Sequence, residues 1–403
     1  MGKRRPLRPW PPSPFASVRL RGKPVTMSTF SASRLKERAA GLGFDRSGIT
    51  RAEPSPTLDA YLRWIDAGLH GPMGYMARPD RVERRRDLSV ILPGVQSLIV
   101  VALDYRSAAP AEWLTDPSRG RFSAYSWGSD YHGVLLEKLE ALAAWLSSET
   151  GGAHRAYVDT GPILERSHGQ AAGLGFVGKN TLLIHPRRGS LFFLGEILTT
   201  LECDAYDAPL PQATMCGSCA RCLAACPTNA FPAPHVLDAR RCISMWTIEH
   251  KGAIDPALRP LFGNWVFGCD ICQDVCPFNR FAPETREPAF TPDAARIAPP
   301  LLELLALDGA GFQARFAGTP VARTGRERLV RNACVAAGNW GSGEALRPLI
   351  TLLDDVSPLV RGHAAWALGR IGGSAARAAL DSAWQRETDD AARDELAAAL
   401  DTI

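Results

Sequence analysis

CGSCARCLAACP, residues 216–227, sets Cys216, Cys219, Cys222 and Cys226 in the spacing C-x2-C-x2-C-x3-C, closed by Pro227. Three thiolates two residues apart can wrap three irons of one cubane. The fourth, turned onto the following segment by proline, points to a second cluster. A partner run exists downstream, where Cys269, Cys272 and Cys276-Pro277 give C-x2-C-x3-C-P. Its expected leading cysteine is missing, because position 266 is Val266, and Cys242 is the nearby thiol that completes a set of eight. The spacing thus predicts one 4Fe4S cluster on Cys216, Cys219, Cys222 and Cys276, and the other on Cys226, Cys242, Cys269 and Cys272. Disulfides or two structural zinc sites are the alternatives, since C-x2-C pairs also suit tetrahedral zinc. Repeated two-residue spacing, both Cys-Pro endings and the total of eight favour paired cubanes, which suit a reducing compartment better than disulfides do. Cys203 and Cys334 are left over and read as ordinary buried thiols.

Working outward, residues 206–285 hold these cysteines among Pro, Gly and Asn, with few apolar anchors, and read as a separate two-cluster ferredoxin-like domain. Upstream, residues 28–205 alternate helix and strand patterns. Leu135, Leu139, Leu142 and Leu146 form an apolar helical stripe, and the runs 97–103, 156–158 and 191–198 read as buried strands. This is an α+β domain. Downstream, in residues 286–403, Leu329-Val330-Arg331-Asn332 and Leu359-Val360-Arg361-Gly362 recur 30 residues apart. Each opens an Ala-rich helix expected to end near Gly338 or Gly369, which suggests two units of a HEAT-like helical repeat.

The net charge of +4 invites a nucleic-acid reading, but residues 1–26 carry seven Lys or Arg and no acid. The remainder has 39 basic residues against 42 acidic, so any nucleic-acid surface must be a local patch. Residues 78–86, the Arg187-Arg188 pair, and Arg323, Arg326 and Arg328 are the choices, with a solvated face as the alternative for each. Residues 1–27 are expected to be a disordered, basic, Pro-rich tail. They lack the apolar core of a secretory signal, and Met27 is a plausible start. No run approaches the roughly 18 apolar residues of a membrane helix, so a soluble, cytoplasmic protein is expected.

Clusters transfer single electrons, and the acceptor should lie in the N-terminal domain. GLGFVGKN, residues 173–180, nearly matches a phosphate-binding loop, but Asn180 replaces the hydroxyl residue and a strand pattern follows, which disfavours nucleotide hydrolysis. Asp159 sits where a strand runs into the turn Thr160-Gly161-Pro162, a position suited to a catalytic carboxyl or equally to a turn cap. His132, before the long helix, reads as a structural residue. Spacing alone names no further cofactor.

Asp159-Thr160-Gly161-Pro162 with Arg166, the segment 172–180, Trp127-Gly128-Ser129-Asp130-Tyr131-His132, both cysteine runs and the helical tail together resemble epoxyqueuosine reductase over residues 28–403. The resemblance implies a nitroreductase-like domain that binds cobalamin, and reduction of epoxyqueuosine to queuosine at the wobble position of tRNA. Electrons would pass from the clusters to cobalt, and an acid must deliver a proton as the C–O bond breaks. By the resemblance Asp159 is the proton donor, its pKa expected to rise under bound cobalamin and substrate. Arg85, Ser123, Leu183, Leu194 and Ser244 fall at positions similar to cobalamin contacts, the leucines acting only through backbone or packing. The segments near Arg166 and Lys251 and the stretch 323–331 are where the tRNA anticodon loop is expected. An unidentified electron donor and a monomer are expected. A cobalamin-dependent reductive dehalogenase and a non-catalytic electron carrier or cobalamin-handling protein are the rival readings. The helical tail suits a macromolecular substrate better than either.

Overall fold

The computed structural model describes residues 29–210 and 215–403, and the expected tail, 1–27, lies outside them. Strands β1 (Arg46–Arg51), β2 (Ser97–Asp104), β3 (His154–Tyr157) and β4 (Phe192–Thr199) form an antiparallel sheet in the order β1-β2-β4-β3. β2 is buried along its whole length, which explains its continuous apolar run in place of alternation. One face of the sheet is covered by α1 (Tyr131–Thr150). Its stripe Leu135, Leu139, Leu142 and Leu146 is fully buried against Ile99, Val101 and Ile197, as the spacing predicts.

The opposite face carries α2 (Glu165–Ala171). A Cβ on Gly169 would lie 2.8 Å from the Leu183 side chain and 3.8 Å from that of Leu194, so glycine lets the helix sit directly on this face. β3 stops at Tyr157, opposite Glu196 of β4. From there the chain turns away through Asp159, whose φ of 56° is a left-handed conformation that aspartate tolerates better than most residues. A cleft opens at this turn. The segment after Gly173 forms a two-stranded hairpin, Phe176–Val177 with Leu183–Ile184, and no phosphate-cradling helix follows it.

The C-terminal part is helical, with α3 (Gly325–Trp340), α4 (Pro358–Ile371) and α5 (Asp390–Leu400) stacked in sequence. α3 and α4 end at Trp340 and Ile371, two residues past Gly338 and Gly369 and so near where the sequence puts their ends. Both glycines are also close-approach points: a Cβ at Gly338 would meet the Trp366 ring at 2.6 Å, and one at Gly369 would meet Ala399 at 3.0 Å. The helical layer shares its core with Phe122, Trp127, Val266 and Phe267 from earlier in the chain. Among the described residues no helix is long and apolar enough to cross a membrane.

Several arginines expected to form surface patches are internal braces instead. Arg188 reaches Asp45 and Asp104, and Arg326 pairs with Asp355 at 2.5 Å. Arg331 is 0% exposed and donates to the carbonyls of Trp246 (2.8 Å), His250 (2.9 Å) and Gly252 (2.7 Å). Burial lowers its pKa to about 9, yet it remains charged at neutral pH and ties α3 to the cysteine segment. Arg331→Met would strand three buried acceptors, each worth about 1–3 kcal/mol, so a loss of roughly 3 kcal/mol or more is expected. Anaerobic urea unfolding checks this, and an unchanged midpoint would show that the three carbonyls find other donors.

Candidate functional site

The first thiol set comes together around one small cavity lined by Cys216, Cys219, Cys222 and Cys276 with Lys179 and Phe278. Burial raises the Cys222 pKa first, and the neighbouring thiols Cys216 and Cys276 push it the same way. The second set behaves alike. Burial and then the nearby Asp270, Cys242 and Cys226 raise Cys269, and burial, Cys269 and Cys242 raise Cys272. Cys222 also acts on Cys272, so the two sets adjoin. Among the described residues, no three His, Cys, Asp or Glu converge tightly enough to hold a lone metal ion. Val266 could not have served as the missing thiol, because it is 0% exposed in the core beneath α3 and its carbonyl accepts from Asn332 at 2.8 Å. Cys226 is turned away from its own run and accepts the Ala230 N–H at 3.3 Å. Cys203 and Cys334 are buried elsewhere, with thiols pushed up by desolvation.

The loop 173–180 that mimics a phosphate site has a different task. Lys179 Nζ donates to the carbonyls of Gly217 (2.8 Å) and Cys219 (3.0 Å), clamping the first cysteine loop to the N-terminal domain. Sequence reasoning missed this. The only local signal was a lysine in a glycine-rich turn that had no anion to bind.

Asp159 faces the open cleft with its side chain 64% exposed. Asp130 caps α1, accepting the His132 N–H at 3.1 Å, and thereby aims Tyr131 and His132 at the turn. Tyr131, stacked on Phe193 with ring centroids 4.1 Å apart, donates to Asp159 Oδ2 at 3.0 Å. His132 Nδ1 lies 2.6 Å from Asp130, which fixes the ring. Its Nε2 lies 3.1 Å from an Arg323 nitrogen and 3.5 Å from Asp159 Oδ2. A neutral ring accepts from Arg323, whereas a charged one donates to Asp159. His132, read from the sequence as a structural residue, is held on both ring nitrogens and also lies beside the Asp159 carboxylate.

Desolvation alone would raise the Asp159 carboxyl, but the His132 and Tyr131 hydrogen bonds, with the charges of His132 and Arg323, outweigh it and lower the pKa. Desolvation works against a charged His132, and Asp130 and Asp159 overcome it to raise that pKa. Without ligands, then, Asp159 is a carboxylate, the reverse of the raised state expected in the loaded enzyme. Tyr125 is buried, which raises its pKa first, and the charges of Asp159 and Asp270 push it the same way.

The remaining site residues divide into two places. Leu183 and Leu194 meet beneath α2, and Arg85 is buried over the Tyr61 ring, donating to its hydroxyl at 3.3 Å. Ser123 donates to Asp270 at 2.5 Å, so its hydroxyl is committed to the cysteine segment. Ser244 precedes the helical turn Met245–Glu249 in the same region. Of the expected tRNA segments, Arg331 is inaccessible, Arg166 is exposed with one bond to the Thr181 carbonyl, and Arg323 and Lys251 stand at the cleft mouth near Glu249.

Comparison with known proteins agrees with this layout. Residues 85–160 match the epoxyqueuosine reductase QueG family (DUF1730), 215–279 a 4Fe-4S double cluster binding domain, and 321–401 HEAT repeats. Epoxyqueuosine reductase of Xanthomonas campestris pv. campestris is 42% identical over 355 residues, spanning 85% of this chain and 97% of that one. A crystal structure of epoxyqueuosine reductase with a tRNA-Tyr epoxyqueuosine-modified stem loop superimposes with a TM-score of 0.85 at 34% identity, covering 92% of this chain and 98% of the other. The Bacillus subtilis enzyme, solved with its catalytic aspartate loop swung out of the active site, gives a TM-score of 0.84 at 34% identity over 92% and 98% of the two chains. Identity of this level over nearly the whole length of both chains establishes that this chain belongs to the epoxyqueuosine reductase family.

Proposed function

We propose that the chain reduces epoxyqueuosine to queuosine in tRNA, with Asp159 as proton donor, two 4Fe4S clusters on the two thiol sets, and cobalamin in the cleft of a nitroreductase-like domain. Its parts are 28–205 for the cofactor and chemistry, 206–285 for the clusters and 286–403 for the helical layer. The observation that carries the reading is the convergence of Tyr131, His132 and Asp159 at the strand end, in a chain that also brings together two adjoining groups of cysteines.

Cobalamin fits the residues present. Arg85 Nε is buried without a hydrogen-bond partner, an orphan donor that an amide or phosphate oxygen of the cofactor would satisfy. Leu183 and Leu194 pack in the apolar cluster beneath α2, where they could serve the cofactor only through packing. When bound, cobalamin and the clusters would supply the electrons that open the epoxide. The chain's own part is to hold and move protons. Tyr131 and His132 position the Asp159 carboxyl, and His132 Nε2 can exchange its bond to Asp159 for one with Arg323. Arg323 belongs to the helical part, so the same residue lies within reach of an RNA on that surface and of the proton donor. Lys251, Arg166 and Arg323 are the exposed cations around the cleft that suit phosphate contacts, and the modest charge implies salt-sensitive binding.

Expression in cells lacking their own epoxyqueuosine reductase should restore queuosine in tRNA, read by nucleoside mass spectrometry. Continued accumulation of epoxyqueuosine, with the protein folded and its clusters in place, would reject the reading.

A further inference from the structure

Reducing an epoxide to an alkene consumes two electrons and two protons: both C–O bonds break, a C=C bond forms, and the oxygen leaves as water. On the reductase reading, Asp159 accounts for one proton. In this structure it is held ionised by its partners, so the site needs protons stored elsewhere.

Apart from Glu249, which burial and the Asp159 charge also push up, Glu165 beside Asp159 and Glu196 beyond it are carboxyl groups with no assigned role. Glu165 opens α2, directly after the turn that carries Asp159. Glu196 lies in β4 opposite Tyr157, is 0% exposed, and has no hydrogen-bond partner among the described residues on either carboxylate oxygen. α2 packs on this face of β4 through Gly169 and Leu194. One helical turn before Gly169 stands Glu165, and one strand repeat beyond Leu194, on the same face, stands Glu196. The two carboxyls are thereby neighbours within the cleft wall. Asp159, Arg166 and Arg85 are the charged groups around Glu165, and Tyr157 is the cross-strand neighbour of Glu196, whose field comes from Glu165 alone. Glu196, fully buried with neither cation nor donor among the described residues, is too costly to persist as a carboxylate and must hold a proton, and burial and the Asp159 charge push Glu165 the same way against the nearby Arg166 and Arg85.

We propose that Glu165 and Glu196 form a proton-sharing carboxyl pair that stores the second proton of the reaction and releases it through Glu165 toward the leaving oxygen beside Asp159. The substrate takes up two electrons from the reductant, one proton through Asp159 and one from the pair. Oxygen departs as water, and the pair recovers its proton from solvent at the cleft mouth. Burial, and secondly the Asp159 charge, push Glu165 up to about 8, and burial with the Glu165 charge holds Glu196 well above the carboxylate range. The pair is thus protonated at the pH where Asp159 is not. A donor with a pKa near the working pH is the most effective general acid.

The test begins with infrared titration of the cobalamin-free protein, clusters intact. A protonated-carboxyl band should fade as pH rises through about 8, and Glu165→Gln should remove that titration. Asp159→Asn, a change on an exposed side chain that should not disturb folding, removes a negative neighbour and should move the midpoint to lower pH. In turnover on epoxyqueuosine-containing tRNA, Glu165→Gln should cost about 10²-fold and abolish the alkaline limb of the pH profile. Glu165→Asp should recover part of the rate. A neutral carboxyl that merely fills space is replaced by glutamine without consequence, so an unchanged rate and profile, or no band titrating near neutrality, overturns the proposal. Should the wild type make no queuosine at all, the reductase reading fails instead, and the infrared titration still decides whether the pair stores a proton.

Discussion

Asp159→Asn should lower queuosine formation by about 10²- to 10⁴-fold while leaving both clusters and cobalamin binding intact. Asparagine is nearly isosteric and tolerates the left-handed backbone of φ 56°, so the turn should keep its shape. Its carbonyl oxygen can still accept from Tyr131, which donates across 3.0 Å. What it cannot do is carry a proton to the leaving oxygen. The cysteines lie in other segments, so cluster content and the cobalamin spectrum serve as internal controls. Full activity in this variant would remove Asp159 from the mechanism.

Cys242→Ala should lose one of the two clusters, halving iron and inorganic sulfide, and should drive turnover to background. Cys242 stands outside both motif runs, yet Cys226 and Cys269 are its neighbours, and burial raises its pKa as it does for the other thiols of the set. A cubane lacking one of four thiolates is labile. On the proposed reading both clusters are needed to deliver electrons, so losing one set should stop turnover. Cys334→Ala, in the core of the helical part, should change neither iron content nor rate. Normal iron in Cys242→Ala would mean that another group completes the second set.

Much of the fold could be read from the chain because its signals are local. The cysteine spacing, the leucine stripe of α1 and the apolar run of β2 each depend on a few neighbouring residues; the stripe and the run lie where the patterns put them, and four of the eight thiols line one cavity. The site was harder to read because it joins distant segments. Asp159 ends a strand, His132 begins a helix, and Arg323 arrives from the helical tail, so no spacing rule links them. Charge patterns misled for a related reason. Arg331 looks like one member of a basic stretch, whereas its carbonyl partners at Trp246, His250 and Gly252 come from elsewhere in the chain. Gly338 and Gly369 lie near the helix ends as the sequence suggests, and only the neighbouring helices reveal them as close packing points as well. Glu196 is the extreme case: one acid in an apolar strand, whose burial and missing partners depend on everything packed around it.

The central claim is tested most directly by incubating the anaerobically reconstituted protein and a reductant with epoxyqueuosine-containing tRNA, with and without cobalamin, and reading the nucleosides by mass spectrometry. Queuosine should form only when cobalamin is present. Intact clusters and bound cobalamin with no queuosine, or queuosine formed equally without cobalamin, would contradict the account.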